Sequence, residues 1–276
     1  MSTTEASQNG DRAEQQGYVL RLGGMALRNG LLIHGPTSWA AAARNESGEI
    51  EVASGRKPVL APELAVRVPL LRGPLRLAEA FLLIPTVRLK LRTARLPFED
   101  VRVVAAMIFA STASRALRRG GPSATGELMQ AVLGLAPAMV ALSDRNLAAY
   151  HGVEHKAIGA YEAGSDDPAS ATKEHERCGS NLIAPMVFFS LAGQLTLDRL
   201  VERPGRFARA ASAIAGLSLS VEVFVAAERR PDSAIGRAVH ASGHFIQARF
   251  ATREPTPEQL EVAVTALDAV LAAERG

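Results

Sequence analysis

Four long apolar stretches constrain the fold of this chain more than any other feature. They are residues 103–114, 128–143, 178–197 and 210–227, with lengths of 12, 16, 20 and 18 residues. A helix needs about 20 apolar residues to cross a bilayer, with a usual range of about 17–25. The third stretch meets this requirement, the fourth comes close to it, and the first two are short. Hydropathy alone therefore leaves two interpretations open, membrane insertion and a buried helical core.

If all four stretches cross a bilayer, both termini and the polar segment 144–177 lie on the same side of it. Most of the basic residues share that side, including Lys90, Arg92, Arg95, Arg145, Arg229 and Arg230. The positive-inside rule makes that side cytoplasmic, although Arg203, Arg206 and Arg209 would lie opposite. We therefore predict a multi-pass protein of the cell membrane whose termini and segment 144–177 face the cytoplasm. Its partners would be the lipid bilayer and other membrane proteins.

Local patterns divide the first hundred residues into three segments. Residues 1–17 are polar and lack an apolar core, which predicts a disordered tail and not a secretory signal. Residues 18–74 predict a small β-rich region, in which a turn at 45–48 joins two short strands. Residues 75–100 predict a basic amphipathic helix that Pro85 should break or kink. That helix would pack either on the core or on a membrane surface.

The remaining residues predict a helical protein. We expect residues 101–230 to form a bundle of about four apolar helices, with the polar segment 144–177 as a loop inside it. Glu222 interrupts the last apolar stretch. In a membrane it would point inward to an Arg or His on a neighbouring helix, because an unpaired carboxylate there is costly, and in a soluble protein it would mark the polar side of a helix. Residues 231–276 predict a C-terminal amphipathic helix with Thr256 as its N-cap. The predicted fold class is mainly α with a small β-rich N-terminal part.

The charge pattern argues against nucleic-acid binding. The chain has 31 Lys and Arg against 28 Asp and Glu, a net charge of +3, and only 5% aromatic residues. It has no basic stripe with interleaved aromatic side chains. The single cysteine, Cys178, cannot form an intrachain disulfide, so its thiol is free for packing or for a metal.

The sequence YHGVEHK at residues 150–156 contains an H-x-x-E-H pattern. His151 and His155 are four positions apart, so on a helix both imidazoles project from one face. Glu154 lies along the same edge. Inverted zinc peptidases use this arrangement, in which imidazoles bind Zn²⁺ and a nearby carboxylate takes a proton from water. Two histidines are not enough, because a catalytic zinc usually has three protein ligands.

Further ligand candidates follow in the sequence KEHERCGSN, where an H-x-x-C spacing can deliver two ligands from one turn. We predict a divalent metal, Zn²⁺, held by His151, His155, His175 and Cys178. In the alternative interpretation the histidines cap helices or pair with Asp166, Asp167 or Glu162. Cys178 would then be only a small apolar residue.

A second pair of histidines, His240 and His244, has the same spacing. No acidic residue lies between them, and Gly243 weakens a helix at that point. We expect this pair to be solvated.

These motifs together resemble a known family. The sequence YHGVEHKAIGAYEAG followed by HERCGS closely resembles the signature of the YqhQ-like bacterial proteins, and similar blocks run from about Gly23 to Leu271. The resemblance implies several membrane helices and a metal-dependent enzyme of unknown reaction. By match to the motif it implicates His151, Glu154, His155, Lys156, His175 and Cys178.

The N-terminal block departs from that family at three positions. Asn29 stands where a glutamate is expected, and Met25 and His34 stand where glutamine and arginine are expected. If this block contributes to the site, Asn29 removes a carboxylate from it.

Our first functional hypothesis is a membrane-embedded, zinc-dependent hydrolase acting at the cytoplasmic face. Glu154 would be the general base, Lys156 or Glu162 would orient substrate, and the substrate would be a peptide, a lipid headgroup or another ester. The alternative is a non-catalytic membrane scaffold or assembly factor with a structural metal. A soluble helical metal-binding protein is a third option.

Overall fold

The fold begins with a four-stranded antiparallel sheet. The computed structural model describes residues 19–119 and 123–276, so the tail predicted for residues 1–17 lies outside the described residues. The strands, in spatial order, are β1 (Gly23–Leu27), β2 (Gly30–His34), β3 (Ser38–Arg44) and β4 (Ile50–Arg56). The predicted turn between the last two strands is confirmed, and Gly48 supplies its positive φ of 90°. The sequence did not predict the hairpin formed by β1 and β2.

Nine α-helices account for most of the described chain. They are α1 (Pro62–Arg67), α2 (Pro69–Lys90), α3 (Val101–Arg119), α4 (Ala124–Leu142), α5 (Arg145–Glu162), α6 (Ile183–Leu200), α7 (Arg206–Arg229), α8 (Ala234–Ile246) and α9 (Pro257–Arg275). A short 3₁₀ turn, Gly179–Leu182, leads into α6, and a π-helical turn, Gln247–Ala251, follows α8. The prediction of a mainly helical chain with a small N-terminal sheet is confirmed.

The sheet is covered on both faces. Alternate residues such as Leu31 and Ile33 pack against α5 and α9. The intervening residues, among them Leu32 and Trp39, pack against α2, on which Leu83 is buried, and against the segment after it. Because both faces are covered, β2 and β3 are apolar almost throughout, and the alternation that marks a half-exposed strand is missing from them.

Three of the described helices are long and apolar enough to cross a membrane, and not the four that were predicted. They are Ala124–Leu142, Gly179–Leu200 and Arg206–Arg229. Large apolar side chains on them are exposed, for example Phe188 (63%) and Phe207 (77%). Exposed apolar surface of this extent suggests association with a membrane. Helix α3 is not among the three, and four of its residues are arginines.

The structure corrects two local predictions and bears out two others. The segment 144–177, predicted as a loop, is helical over Arg145–Glu162. Helix α2 begins before residue 75 and continues through Pro85, which does not break it. The predicted basic partner of Glu222 is confirmed, since Arg72 Nε donates to its Oε1 at 2.7 Å. At the start of α9, Gln259 accepts a hydrogen bond from the Thr256 N–H at 3.0 Å, as the predicted cap requires.

Candidate metal centre

Helix α5 carries the H-x-x-E-H pattern, and its packing fixes which face the histidines occupy. Asp144 caps the helix by accepting from the Asn146 N–H at 2.9 Å. Apolar residues on one side of α5, including Leu147 and Val153, are buried against the sheet and α9. Since residues four apart share a face, His151 and His155 project together toward the chain that follows the helix.

Three side chains converge at this point. A nitrogen of His151, a nitrogen of His155 and the sulfur of Cys178 all lie within 4.8 Å of one another. The Cys178 Sγ is 3.4 Å from His151 Nε2. His155 and Cys178 are buried, and His151 is partly buried. The first histidine pair and the predicted cysteine, 23 residues apart at their nearest, therefore form one group.

Backbone carbonyls orient both imidazoles. Nδ1 of His151 lies 2.9 Å from the Ala251 carbonyl oxygen, and Nδ1 of His155 lies 2.6 Å from that of Lys173. A carbonyl only accepts, so each Nδ1 carries the proton and each Nε2 keeps its lone pair. Metal-binding histidines commonly have this arrangement, in which the second ring nitrogen donates to an oxygen.

Gly152 allows the segment 251–253 to approach α5. A Cβ at Gly152 would lie 2.3 Å from the Arg253 carbonyl oxygen, which no real contact permits. The Arg253 N–H donates to the Ala148 carbonyl oxygen at 2.9 Å and holds the segment against the helix. The absence of a side chain at Gly152 therefore lets Ala251 reach His151.

Lys156 anchors the loop that carries the second carbonyl. Its ammonium donates to the carbonyl oxygens of Ala169 (3.0 Å) and Ala171 (2.8 Å) and pairs with Glu254 at 2.7 Å. Three acceptors match its three N–H groups, and the side chain is 6% exposed. The loop so held contains Lys173, the partner of His155.

The structure places His175 beside the group but outside it. Its Nδ1 accepts from the Arg177 N–H at 3.2 Å, and its Nε2 lies 3.2 Å from Glu162 Oε2. Both ring nitrogens are therefore engaged, and the ring stacks on that of His155 with centroids 5.7 Å apart. Gln247, fully buried, binds the backbone N–H and carbonyl of His175 and fixes this turn.

Glu154 lies on the buried edge of α5. A Cβ at Gly24 on β1 would be only 2.7 Å from its carboxyl group, so the bare backbone of Gly24 makes room for it. Among the residues that the structure describes, none donates a hydrogen bond to this carboxyl. Burial raises the pKa of Glu154, and the nearby His151 and His175 act in the opposite direction.

The donor set fits a divalent transition metal. Imidazole nitrogens and a thiolate suit Zn²⁺, and three protein ligands leave a fourth position open. Burial lowers the pKa of His155, which favours the neutral ring that binds a metal. The proximity of one nitrogen from each imidazole and the Cys178 sulfur is the feature that supports a metal most directly.

Sequence reasoning missed the groups that hold this geometry. The carbonyls of Ala251 and Lys173 leave no signal in a sequence, because every residue has one. Gly152 stands inside the H-x-x-E-H pattern, and a glycine within a helix is a signal of close backbone approach. Asn29, which stands where the family resemblance predicts a glutamate, is not part of the site: its side chain binds only backbone groups of Arg44, Thr93 and Arg95.

The fold and this group define a helical protein with membrane-length helices and a possible metal centre at one end of them. Residues 138–273 match the family model described as protein of unknown function (DUF1385). The match contains all three side chains of the group and excludes the sheet. No curated protein and no solved structure matches the chain. The more specific resemblance to YqhQ-like bacterial proteins stays a prediction.

Proposed function

We propose that the chain is a metal-dependent hydrolase embedded in the cell membrane, with its site at the cytoplasmic face. His151, His155 and Cys178 would hold the ion, which we take to be Zn²⁺. A bound divalent ion would supply a Lewis acid that polarises a carbonyl or phosphoryl oxygen and makes water more acidic. The convergence of three ligand atoms within 4.8 Å carries this proposal.

Glu154 is our candidate for the general base. It precedes His155 directly and follows His151 by three positions, so its carboxyl lies along the same edge of α5 as the ligand face. A buried carboxylate with a raised pKa accepts a proton more readily than an exposed one does. The substrate class, whether peptide, lipid headgroup or another ester, stays open.

We assign Lys156 a positioning role and not the contact with substrate that the sequence predicted. Its three N–H groups face Ala169, Ala171 and Glu254, so they hold the loop that ends at Lys173. The lysine would act on the site through the carbonyl that orients His155.

The proposed topology rests on the contacts of the sheet. The sheet packs on α5, so both lie on one side of the membrane. Between them the chain must cross the bilayer an even number of times, and α4 is a candidate span. This parity supports α3 as a fourth crossing helix, with its terminal arginines reaching the headgroups. The lone thiol at the site suits the reducing cytoplasm.

Replacement of Glu154 by Gln tests the hydrolase. The protein, purified in detergent with Zn²⁺, would be assayed with the model ester p-nitrophenyl acetate. We expect Glu154→Gln to keep the metal and lose about 100-fold or more in rate, as the removal of a general base does. Glu261→Gln, an exposed glutamate on α9, is the matched control and should retain full activity.

The second candidate function is a structural metal clip in a membrane scaffold. The group joins α5 to the start of α6 and, through Ala251, to the segment before α9. A metal would therefore lock three parts of the fold together. A Glu154→Gln protein with unchanged metal content and unchanged function would favour the scaffold over the hydrolase.

A further inference from the structure

The second histidine pair is more enclosed than its sequence predicts, since His240 is buried and His244 is partly buried. His240 is only 9% exposed, and α8 is helical over Ala234–Ile246 despite Gly243. The centroids of the His240 and His244 rings are 6.4 Å apart. The expectation of a solvated pair was therefore wrong for His240, because α8 packs against α7 and the turn before α6 and does not stand free.

This pair has ring nitrogens without partners. Three ring nitrogens are buried and have no hydrogen-bond partner within the described residues. They are both nitrogens of His240 and Nε2 of His244. Oε1 of Glu228, at the end of α7, is buried and unpartnered in the same way. Arg21, Arg177 and His240 all lie within electrostatic range of Glu228, and its other oxygen, Oε2, lies 3.9 Å from Nη1 of Arg21. Buried polar atoms are nearly always satisfied, so four such atoms on two adjacent helices indicate something bound among them.

The chemistry of these groups favours a cation. Two imidazoles and one carboxylate are a donor set for divalent transition metals. An anion would meet the negative charge of Glu228. Two guanidinium groups act on Glu228, but neither is free to receive an anion: that of Arg177 pairs with Glu162, and Nη1 of Arg21 lies 3.9 Å from Oε2 of Glu228 itself.

We propose that His240, His244 and Glu228 form a second site for a divalent transition-metal ion. It is separate from the first group and does not rest on the hydrolase proposal. Among the described residues only the first group has three ligand atoms within 4.8 Å of one another. The second site therefore needs side-chain rotation to close around an ion, and it binds more weakly than the first.

Titration of the metal-free full-length protein with Co²⁺ separates the two sites. Co²⁺ bound to a thiolate gives a strong near-ultraviolet charge-transfer band, and Co²⁺ bound to imidazole and carboxylate does not. We expect two equivalents to bind, the first with the band and the second without it. The doubly substituted protein His240→Ala/His244→Ala should bind one equivalent and keep the band. Arg237→Ala, an exposed change on the same helix, should bind two.

Because the double variant could fail to fold, a more conservative substitution provides a second test. Glu228→Gln preserves the volume of the side chain and should weaken the second equivalent at least tenfold. Unchanged stoichiometry and affinity in both variants would overturn the proposal and leave water as the partner of these atoms. The wild type could instead bind a single equivalent without the charge-transfer band, and the double variant could bind none. That result would support the second site and exclude the first.

Discussion

Two histidine pairs with identical spacing have different surroundings in this protein. On α5, the rings of His151 and His155 have centroids 4.5 Å apart, and a backbone carbonyl accepts from each Nδ1. On α8, the rings of His240 and His244 are 6.4 Å apart, and His240 has no partner among the described residues. The first pair has a thiol in contact with it, and the second has a carboxylate nearby.

The difference shows what an i, i+4 spacing contributes and what it does not. The spacing places two imidazoles on one face, and both helices achieve this. The tautomer and the direction of each ring depend on the group that accepts from Nδ1. On α5 two chain segments, 169–173 and 251–253, supply that group. Binding strength should therefore follow the supporting carbonyls and not the histidine pattern.

The largest effect should come from the ligand that only the first pair has. Cys178→Ser keeps the shape of the side chain, but a hydroxyl is not ionised near neutral pH and is a poor ligand for Zn²⁺. We expect Zn²⁺ affinity to fall by more than about 100-fold, because loss of a supporting group alone costs about 10–100-fold. Competition with a chromophoric chelator measures it, and the Co²⁺ charge-transfer band should vanish.

His175→Asn is the informative companion to that change. Both nitrogens of His175 are engaged by Arg177 and Glu162, so we expect the Co²⁺ band to persist with at most about a tenfold loss of affinity. If His175→Asn abolishes the band as completely as Cys178→Ser does, His175 is a ligand and the geometry described above is wrong.

The next effect concerns the close approach at Gly152. A Cβ there would collide with the Arg253 carbonyl oxygen, so Gly152→Ala must push the segment 251–253 away from α5. We expect a loss of about 1–3 kcal/mol in stability from overpacking and about 10–100-fold in metal affinity as His151 loses its acceptor. Thermal unfolding and chelator competition measure the two effects.

Gly159→Ala is the matched control on the same helix. The nearest heavy atom to a Cβ at Gly159 is 3.9 Å away, an ordinary contact. Alanine is a better helix former than glycine, so this change should leave stability equal or raised by up to about 1 kcal/mol. Equal destabilisation by both substitutions would show that the approach of the segment 251–253 is not what Gly152 provides.

The contrast between the two histidine pairs also shows which parts of the site and fold could be predicted from the sequence. The group of His151, His155 and Cys178 was predictable because its members are chemically distinctive and close in the chain. The choice between Cys178 and His175 was not, since it depends on which nitrogen meets Glu162. The first hairpin was missed because its strands are buried on both faces and so lack alternation. The burial of His240 depends on how α7 and α8 pack, which no local pattern records.

A smaller effect should follow from loss of the lysine anchor. Lys156→Met keeps the aliphatic stem but releases the carbonyls of Ala169 and Ala171. The loop then holds the Lys173 carbonyl less firmly against His155, and we expect about a tenfold loss of metal affinity. Lys173→Met is the control, since the site uses only the backbone of that residue. Equal affinities of the two variants and wild type would exclude a positioning role for Lys156.

His34 belongs to neither pair, and its substitution should leave metal binding unchanged while altering the response to pH. Burial, with Lys57 close by, lowers the pKa of His34 from 6.5 to about 4. As the pH falls below 6.5, His34 takes up a proton in the unfolded chain but stays neutral in the folded protein until the pH approaches 4. Stability therefore decreases over this range. By pH 5 the loss is about 2 kcal/mol. His34→Gln should therefore lose less melting temperature than wild type between pH 7 and pH 5. An equal loss in the two proteins would mean that His34 takes up its proton as readily in the folded state, and that its burial beside Lys57 is not maintained.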